Sequence, residues 1–146
     1  MTRPELATAA ADAFARVHGG EPTGLWSSPG RVNLIGEHTD YNEGFVFPFA
    51  IDRHTVVAAR LRDDRLVRVS SGLRDGVEEI AIDDLAPDAL DGWSAYALGV
   101  IWAAGELGGD LSSVRGVDLH VESDVPLGAG LSSSAALEGA VAVAID

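Results

Sequence analysis

The 146-residue sequence contains no cysteine and no lysine. Without Cys it has no disulfide framework, thiolate zinc site, iron–sulfur cluster or cysteine nucleophile, a composition that a reducing compartment permits. Without Lys, a Schiff base, a P-loop lysine and a protein-kinase lysine are excluded within these residues. Phosphate chemistry here rests on backbone amides, helix N-termini, Arg or a bound cation. Long apolar runs are also missing, since none approaches the ~20 residues that span a bilayer. The N-terminus, with Pro4, Glu5 and Asp12 among alanines, lacks the basic start and apolar run of a signal peptide, so a cytoplasmic location is expected. Positive charge is scarce: ten Arg face 23 Asp and Glu, a net charge of −13. That field repels polyanions, and neither nucleic acid nor a membrane is an expected partner.

With 47% hydrophobic residues the composition is that of a globular chain able to fold around one core. Thr2-Arg3-Pro4-Glu5 has the spacing of a capping box, and Leu6, Ala10, Ala13, Phe14 and Val17 then recur at helical intervals up to Gly19-Gly20. Strand patterns follow over Arg31 to Ile35, Phe45 to Leu61 with a bend, Leu66 to Ser70 and Val77 to Ile82, with Asp63 to Arg65 as a tight connection. Trp93, Ala97, Val100, Ile101 and Ala104 mark a second helix, ended by Gly108-Gly109. Val117, Leu119 and Val121 alternate with Asp118, His120 and Glu122, the pattern of a strand with one wet face. An alanine-rich helix runs from about Ser132 onward, and this order predicts an α+β layer with a mostly antiparallel sheet. Leu137, Ala140, Val141 and Ala144 still trace an apolar face as the sequence reaches Asp146, so these residues are expected to be the front of a longer protein.

Two segments carry chemistry. The first, from Val125 to Ala136, reads as a strand end, a loop with Gly128, Ala129 and Gly130, and the hydroxyls of Ser132, Ser133 and Ser134 at a helix start. Glycines let a ligand approach the backbone, and the free N–H groups and dipole of a helix N-terminus favour an anion such as phosphate. A first-turn serine can also reach Mg2+ held on the same phosphates. The competing reading is a plain serine N-cap after a flexible turn. In the second segment, Ser28 to Asn42, a strand carrying Arg31 and Asn33 runs into a turn with Glu37, His38, Thr39 and Asp40. Carboxylates accept from hydroxyls and an imidazole donates or accepts, which suits a polyol, while Arg31 offers a planar fork to phosphate. A polar turn capped by Thr39, Asp40 and Asn42 is the alternative; it leaves an Arg within an apolar strand unexplained. His18 is read as a helix end and His54 and His120 as strand-face residues. Trp93 is either core or a flat surface for a base.

Together the two segments resemble one family. Pro29-Gly30-Arg31-Val32-Asn33-Leu34-Ile35-Gly36-Glu37-His38-Thr39-Asp40-Tyr41-Asn42 is similar to the galactokinase signature, and Pro126 to Glu138 to the second motif of the GHMP small-molecule kinases. The resemblance implies the GHMP kinase N-terminal domain fold (that of ribosomal protein S5 domain 2), with helices on one side of the sheet. It further implies that residues 1–146 form an incomplete N-terminal domain, and that the C-terminal domain, the catalytic base and the acidic Mg2+ ligand lie beyond Asp146. The implied reaction is phosphorylation of the anomeric hydroxyl of galactose by MgATP. Glu37, His38, Thr39 and Asp40 would then touch the sugar, and Gly128, Ala129, Gly130, Leu131, Ser132, Ser133 and Ser134 would wrap the phosphates. Ser134 would also hold Mg2+, while Arg31 would stabilise charge on the transferring group and Ser71 and Trp93 would contact the nucleotide. Where members of the family often carry Asn and a basic residue after that tryptophan, this sequence has Ala95 and Ala97. The resemblance leaves two other readings: a non-catalytic regulator that senses galactose and ATP, and a kinase for N-acetylgalactosamine or arabinose.

Overall fold

The computed structural model describes residues 1–36 and 38–146; for Asp40 only the backbone is described. The chain opens on helix α1 (Arg3–Phe14), whose capping box closes as expected. Thr2 N donates to Glu5 Oε2 at 2.8 Å and Glu5 N to Thr2 Oγ1 at 3.4 Å, satisfying two donors that a helix start leaves free. A π-helical turn (Ala15–Gly19) follows and ends on Gly19 and Gly20, both at positive φ. Then come β1 (Gly24–Asn33), β2 (Pro48–Leu61), β3 (Leu66–Ser71), β4 (Arg74–Ala81), α2 (Ala95–Glu106), β5 (Val117–Ser123) and α3 (Ser133–Ile145).

The strands form one sheet in the order β1-β2-β5-β3-β4, antiparallel except for the β3–β5 pair. The tight connection at Asp63 to Arg65 therefore joins strands that are not neighbours, because β5 inserts between them. The insertion point is clamped by Arg62 N donating to Gly116 O (2.8 Å) and Gly116 N to Asp64 O (2.6 Å). A Cβ at position 116 would lie 2.1 Å from Leu66 O, so only glycine fits where β5 enters. The expected bend in the second strand takes the form of a register irregularity: Pro29 faces His54 but Arg31 faces Ala50.

Helices cover both faces, not one. Ala97, Leu98 and Ile101 of α2 and Ala140 and Val141 of α3 pack with Val57, Ala59, Val67, Val69, Val117, Leu119 and Val121. On the opposite face Leu6, Ala10 and Phe14 of α1 pack with Val56 and Ala58. The physical reason lies in β2, where four consecutive apolar residues, Val56 to Ala59, present apolar side chains to both sides of the sheet.

The expected wet face of β5 is also corrected, because Asp118 and His120 are buried. Asp118 accepts from Arg60 Nη2 at 2.9 Å and from Arg62 Nη1 at 2.7 Å, and His18 Nδ1 stands 3.6 Å from it. Burial pushes the Asp118 carboxyl up, but the Arg62 and Arg60 hydrogen bonds outweigh it and hold the group below its ordinary range. Burial lowers the His18 pKa, against the pull of Asp118. Both groups therefore bind fewer protons folded than unfolded, so stability rises with pH. His18 contributes stability that is lost as pH falls below its ordinary value of 6.5, and Asp118 extends the loss below 3.8. The thermal midpoint is expected to fall between pH 7 and 5 and again towards pH 3, and His18→Gln is expected to shrink the first fall; thermal scans across pH check both. Phe14→Ala, which empties the centre of the α1 cluster, is expected to cost about 3–5 kcal/mol in urea titrations.

Candidate functional site

The two chemistry-bearing segments meet. Arg31 N donates to Leu131 O at 3.1 Å, tying the strand of the second segment to the loop of the first. Gly30 makes the approach possible, since a Cβ there would lie 2.9 Å from Leu131 O and 3.1 Å from both Ile51 Cδ1 and Val125 Cγ1. The register irregularity between β1 and β2 falls at this residue, with the extra residues on β2. Arg31 is exposed, and its guanidinium has no ion pair among the described residues. The same is true of Arg74, whereas Arg53, Arg60, Arg62, Arg65, Arg68 and Arg115 are each paired with a carboxylate.

The loop from Val125 to Ser132 is shaped by three left-handed residues, Gly128 (φ 70), Gly130 (φ 70) and Ser132 (φ 56). Ser132 stands at the N-cap of α3 but its side chain makes no capping hydrogen bond, so the first-turn amides of α3 are left without a side-chain acceptor. A non-glycine residue in the left-handed region costs of order 1 kcal/mol and persists only where the surroundings demand it. An uncapped helix N-terminus behind a glycine loop has the geometry that favours an anion, and the capping bond of the alternative reading is not made.

Four of the expected nucleotide contacts come together. Ser71, Trp93, Ser133 and Ser134 line one cavity of about 300 Å3, with Thr55, Leu73, Arg74, Tyr96, Val121, Ser123, Leu127 and Leu137. Trp93 thus borders a cavity as well as packing against the core cluster. Gly128, Ala129, Gly130, Leu131 and Ser132 form the loop beside this cavity without lining it, and Arg31, His38 and Thr39 also stand outside its lining. Thr55, Ser123 and Arg74 were not legible as site residues in the sequence. Thr55 and Ser123 face one another only through the β2–β5 register, their hydroxyls 2.9 Å apart, and Arg74 reaches the rim only through the β3–β4 turn. A larger apolar groove of about 1520 Å3 lies along α2 and α3 and is lined by none of the expected site residues. Volume alone would choose it; convergent hydroxyls and a cation favour the smaller cavity.

In the turn after β1, His38 adopts φ 67 and its Nδ1 is hydrogen bonded to the Tyr41 hydroxyl. Thr39 Oγ1 donates to Gly36 O at 2.6 Å and lies 3.0 Å from Phe45 O, while Asn42 Nδ2 donates to His38 O at 2.7 Å. Thr39 and Asn42 thus build the turn, and His38 is exposed at its surface. The expectations for Glu37 and for the Asp40 side chain lie outside the described residues.

For Mg2+ the chain offers the Ser134 hydroxyl, one hard oxygen at a helix N-terminus. No group of three or more His, Asp or Glu side chains able to hold an ion occurs among the described residues. This donor set fits a cation whose other ligands are phosphate oxygens and water, not a cage built by protein alone.

Residues 12–61 match the model of the galactokinase galactose-binding signature, and residues 95–146 that of the GHMP kinases N terminal domain. The galactokinase of Streptomyces coelicolor is 51% identical over 134 residues, which are 91% of this chain and 34% of that protein. That of Chloroflexus aggregans is 56% identical over 137 residues, 94% of this chain and 34% of that protein. The chain carries the galactokinase galactose-binding signature and the GHMP kinase N-terminal domain. It spans about a third of the length of the galactokinases it matches. The crystal structure of Lactococcus lactis galactokinase complexed with galactose aligns with a TM-score of 0.82 and 40% identity, over 95% of this chain and 36% of that one. The mevalonate kinase of Methanococcus jannaschii, 18% identical with a TM-score of 0.71 over 86% of this chain and 40% of its own, shares the fold. No helix among the described residues is long and apolar enough to cross a membrane.

If Gly30 is what lets the two motifs touch, Gly30→Ala should push the loop from β1. Overpacking of this kind costs about 1–3 kcal/mol. The expected result is lower stability in urea together with faster amide hydrogen exchange at residues 128–132, read by mass spectrometry.

Proposed function

We propose that this chain forms the sugar- and phosphate-binding front of a cytoplasmic galactokinase, which transfers the γ-phosphoryl group of MgATP to the anomeric hydroxyl of galactose. The observation that carries the reading is the hydrogen bond from Arg31 N to Leu131 O, which sets a candidate sugar turn and an anion cradle side by side on one sheet edge. Support from outside the chain comes from relatives named galactokinase and from a structural neighbour complexed with galactose.

In this reading His38 and Thr39, with Glu37 and Asp40, accept and donate hydrogen bonds to the sugar hydroxyls. The loop Gly128, Ala129, Gly130 and Leu131 and the first turn of α3 with Ser132, Ser133 and Ser134 hold the polyphosphate. Ser71 and Trp93 meet the rest of the nucleotide. Ser134 would hold Mg2+ together with the nucleotide, and the ion would there supply neutralisation of phosphate charge. The anomeric oxygen attacks the γ-phosphorus, the bond to the ADP oxygen breaks, and the anomeric proton passes to a base. Arg31, unpaired and beside the loop, stabilises the charge that spreads over the phosphoryl oxygens as the transfer proceeds. Arg74, on the rim of the cavity, offers a second guanidinium to the nucleotide.

The base, the acidic Mg2+ ligand and a C-terminal GHMP domain are supplied by the part of the galactokinase outside residues 1–146, and this chain alone is inactive. Galactose-dependent release of ADP tests the reading. The expected outcome is turnover by a protein carrying this chain joined to the remaining two thirds of a galactokinase, and none by the chain alone; turnover by the chain alone would overturn the division of labour. In the joined protein Arg31→Ala is expected to lower kcat by about 100- to 1000-fold, the scale of losing one charge-stabilising group. A change within a few-fold would remove Arg31 from this role.

A further inference from the structure

Behind the cavity, on the face covered by α1, lies a line of buried polar groups that the reaction does not use. Ser70 Oγ is 2.7 Å from His120 Nδ1 and 2.9 Å from His18 Nε2, and His120 Nε2 is 3.2 Å from Glu122 Oε1. Ser70 and His120 are buried, and Glu122 is largely so. The protons can be placed from the acceptors. A carboxylate only accepts, so His120 Nε2–H donates to Glu122; neutral His120 then accepts at Nδ1 from the Ser70 hydroxyl. The Leu119 carbonyl, 3.2 Å from His18 Nε2, fixes that nitrogen as a donor, so Ser70 Oγ accepts from His18. The result is a directed chain, His18 to Ser70 to His120 to Glu122, spanning the π-helical turn after α1, β3 and β5.

Strand alternation connects this line to the cavity. Ser70 points to the α1 face, so its neighbour Ser71 points into the cavity. On β5, His120 and Glu122 point to the α1 face, and Val121 and Ser123 point into the cavity. The β3–β5 pair is parallel here, with Ser70 opposite His120 and Ser71 opposite Val121. The strand end is held further by Gly72 N donating to Val121 O at 3.0 Å, and by the absence of a side chain at Gly72, where a Cβ would meet the Glu122 carboxylate at 2.2 Å. Leu73 N donates to Ser71 Oγ at 3.1 Å, which closes the turn behind the cavity wall.

We propose that His120 is a positioning residue of the nucleotide cavity: by bridging Ser70 on β3 to Glu122 on β5 it holds Ser71, Val121 and Ser123 in the wall. This rests on the reading of the cavity as the nucleotide site. Two further facts support a role beyond filling space. The bridge joins the only parallel strand pair of the sheet, among the described residues, and parallel pairing is slightly less stable per residue. It also sits beside the turn Ser71–Leu73, where β3 leaves the sheet and local opening is cheapest.

Amide hydrogen exchange on the 146-residue chain tests the positioning claim without nucleotide. In His120→Ala, residues 71–73 are expected to exchange about ten-fold faster while residues 56–59 of β2 keep their protection, the pattern of local opening. His120→Gln, which can accept from Ser70 and donate to Glu122, is expected to restore the slow exchange. Equal acceleration at both segments, or none at either, would overturn the claim. In the joined galactokinase, His120→Ala is expected to raise KM for ATP several-fold with kcat and KM for galactose near wild type, and His120→Gln to recover it. A fall in kcat with KM for ATP unmoved overturns the inference alone. Failure of wild-type protein to bind ATP overturns the nucleotide reading and this assignment with it.

Discussion

One backbone hydrogen bond, from Arg31 N to Leu131 O, organises the molecule's functional edge. It joins segments far apart in sequence, and three separate local features converge to allow it. Gly30 removes the side chain that would keep the loop away, the β1–β2 register shifts at that point, and Ser132 accepts a left-handed backbone so that α3 can begin beside β1. Each is locally unfavourable or neutral. Their joint presence is explained by the contact they permit, in the way that strain gathers where function demands a fixed geometry.

Charge follows the same division between local and global terms. A chain of net charge −13 is a poor partner for polyanions at long range, yet fields from exposed charges fade over ~8–10 Å at physiological salt. Close to the loop, what counts is the uncapped start of α3 and the guanidiniums within reach. Most arginines with carboxylate partners sit elsewhere: Arg60, Arg62 and Arg68 gather around Asp118, Arg65 on Asp83 and Arg115 on Asp63. Arg3, Arg16, Arg31 and Arg74 carry no such partner among the described residues. Arg3 and Arg16 lie on α1 and the π-helical turn after it, whereas Arg31 adjoins the glycine loop and Arg74 the rim of the smaller cavity.

The elements were largely legible from periodicity and punctuation. The capping box, the glycine stops of α1 and α2 and the start of α3 at Ser133 stand where the pattern placed them. What escaped was everything set by partners distant in sequence. Alternation over Val117 to Glu122 revealed two faces but not that α1 covers the polar one, because the residues neutralising Asp118 are on β2, on the connection after it and on β3. The run Val56 to Ala59 is apolar on both parities, a signal of two-sided burial that the expectation of helices on one side did not use. At the candidate site, the hydroxyls of Ser133 and Ser134 were legible because they sit in the serine motif, and Ser71 only through the family resemblance. Thr55, Ser123 and Arg74 were not, since only register and a hairpin turn bring them there.

The buried polar pairs on β5 also decide which alignment of the sheet is possible. Strand side chains repeat every two residues, so a slip of β5 by one position would send Asp118 and His120 into the apolar layer beneath α2 and α3. Asp118 would leave Arg60 and Arg62 without their acceptor, and an unpaired buried charge costs several kcal/mol, far more than the pair contributes when made. The strand is thereby locked by what the wrong register would bury as well as by what the right one pairs. That lock matters to the site because β5 runs straight from Ser123 through Val125 into the glycine loop. If β5 slipped, Leu131 would no longer face Arg31, and the turn after β1 and the glycine loop would lose the contact that holds them side by side.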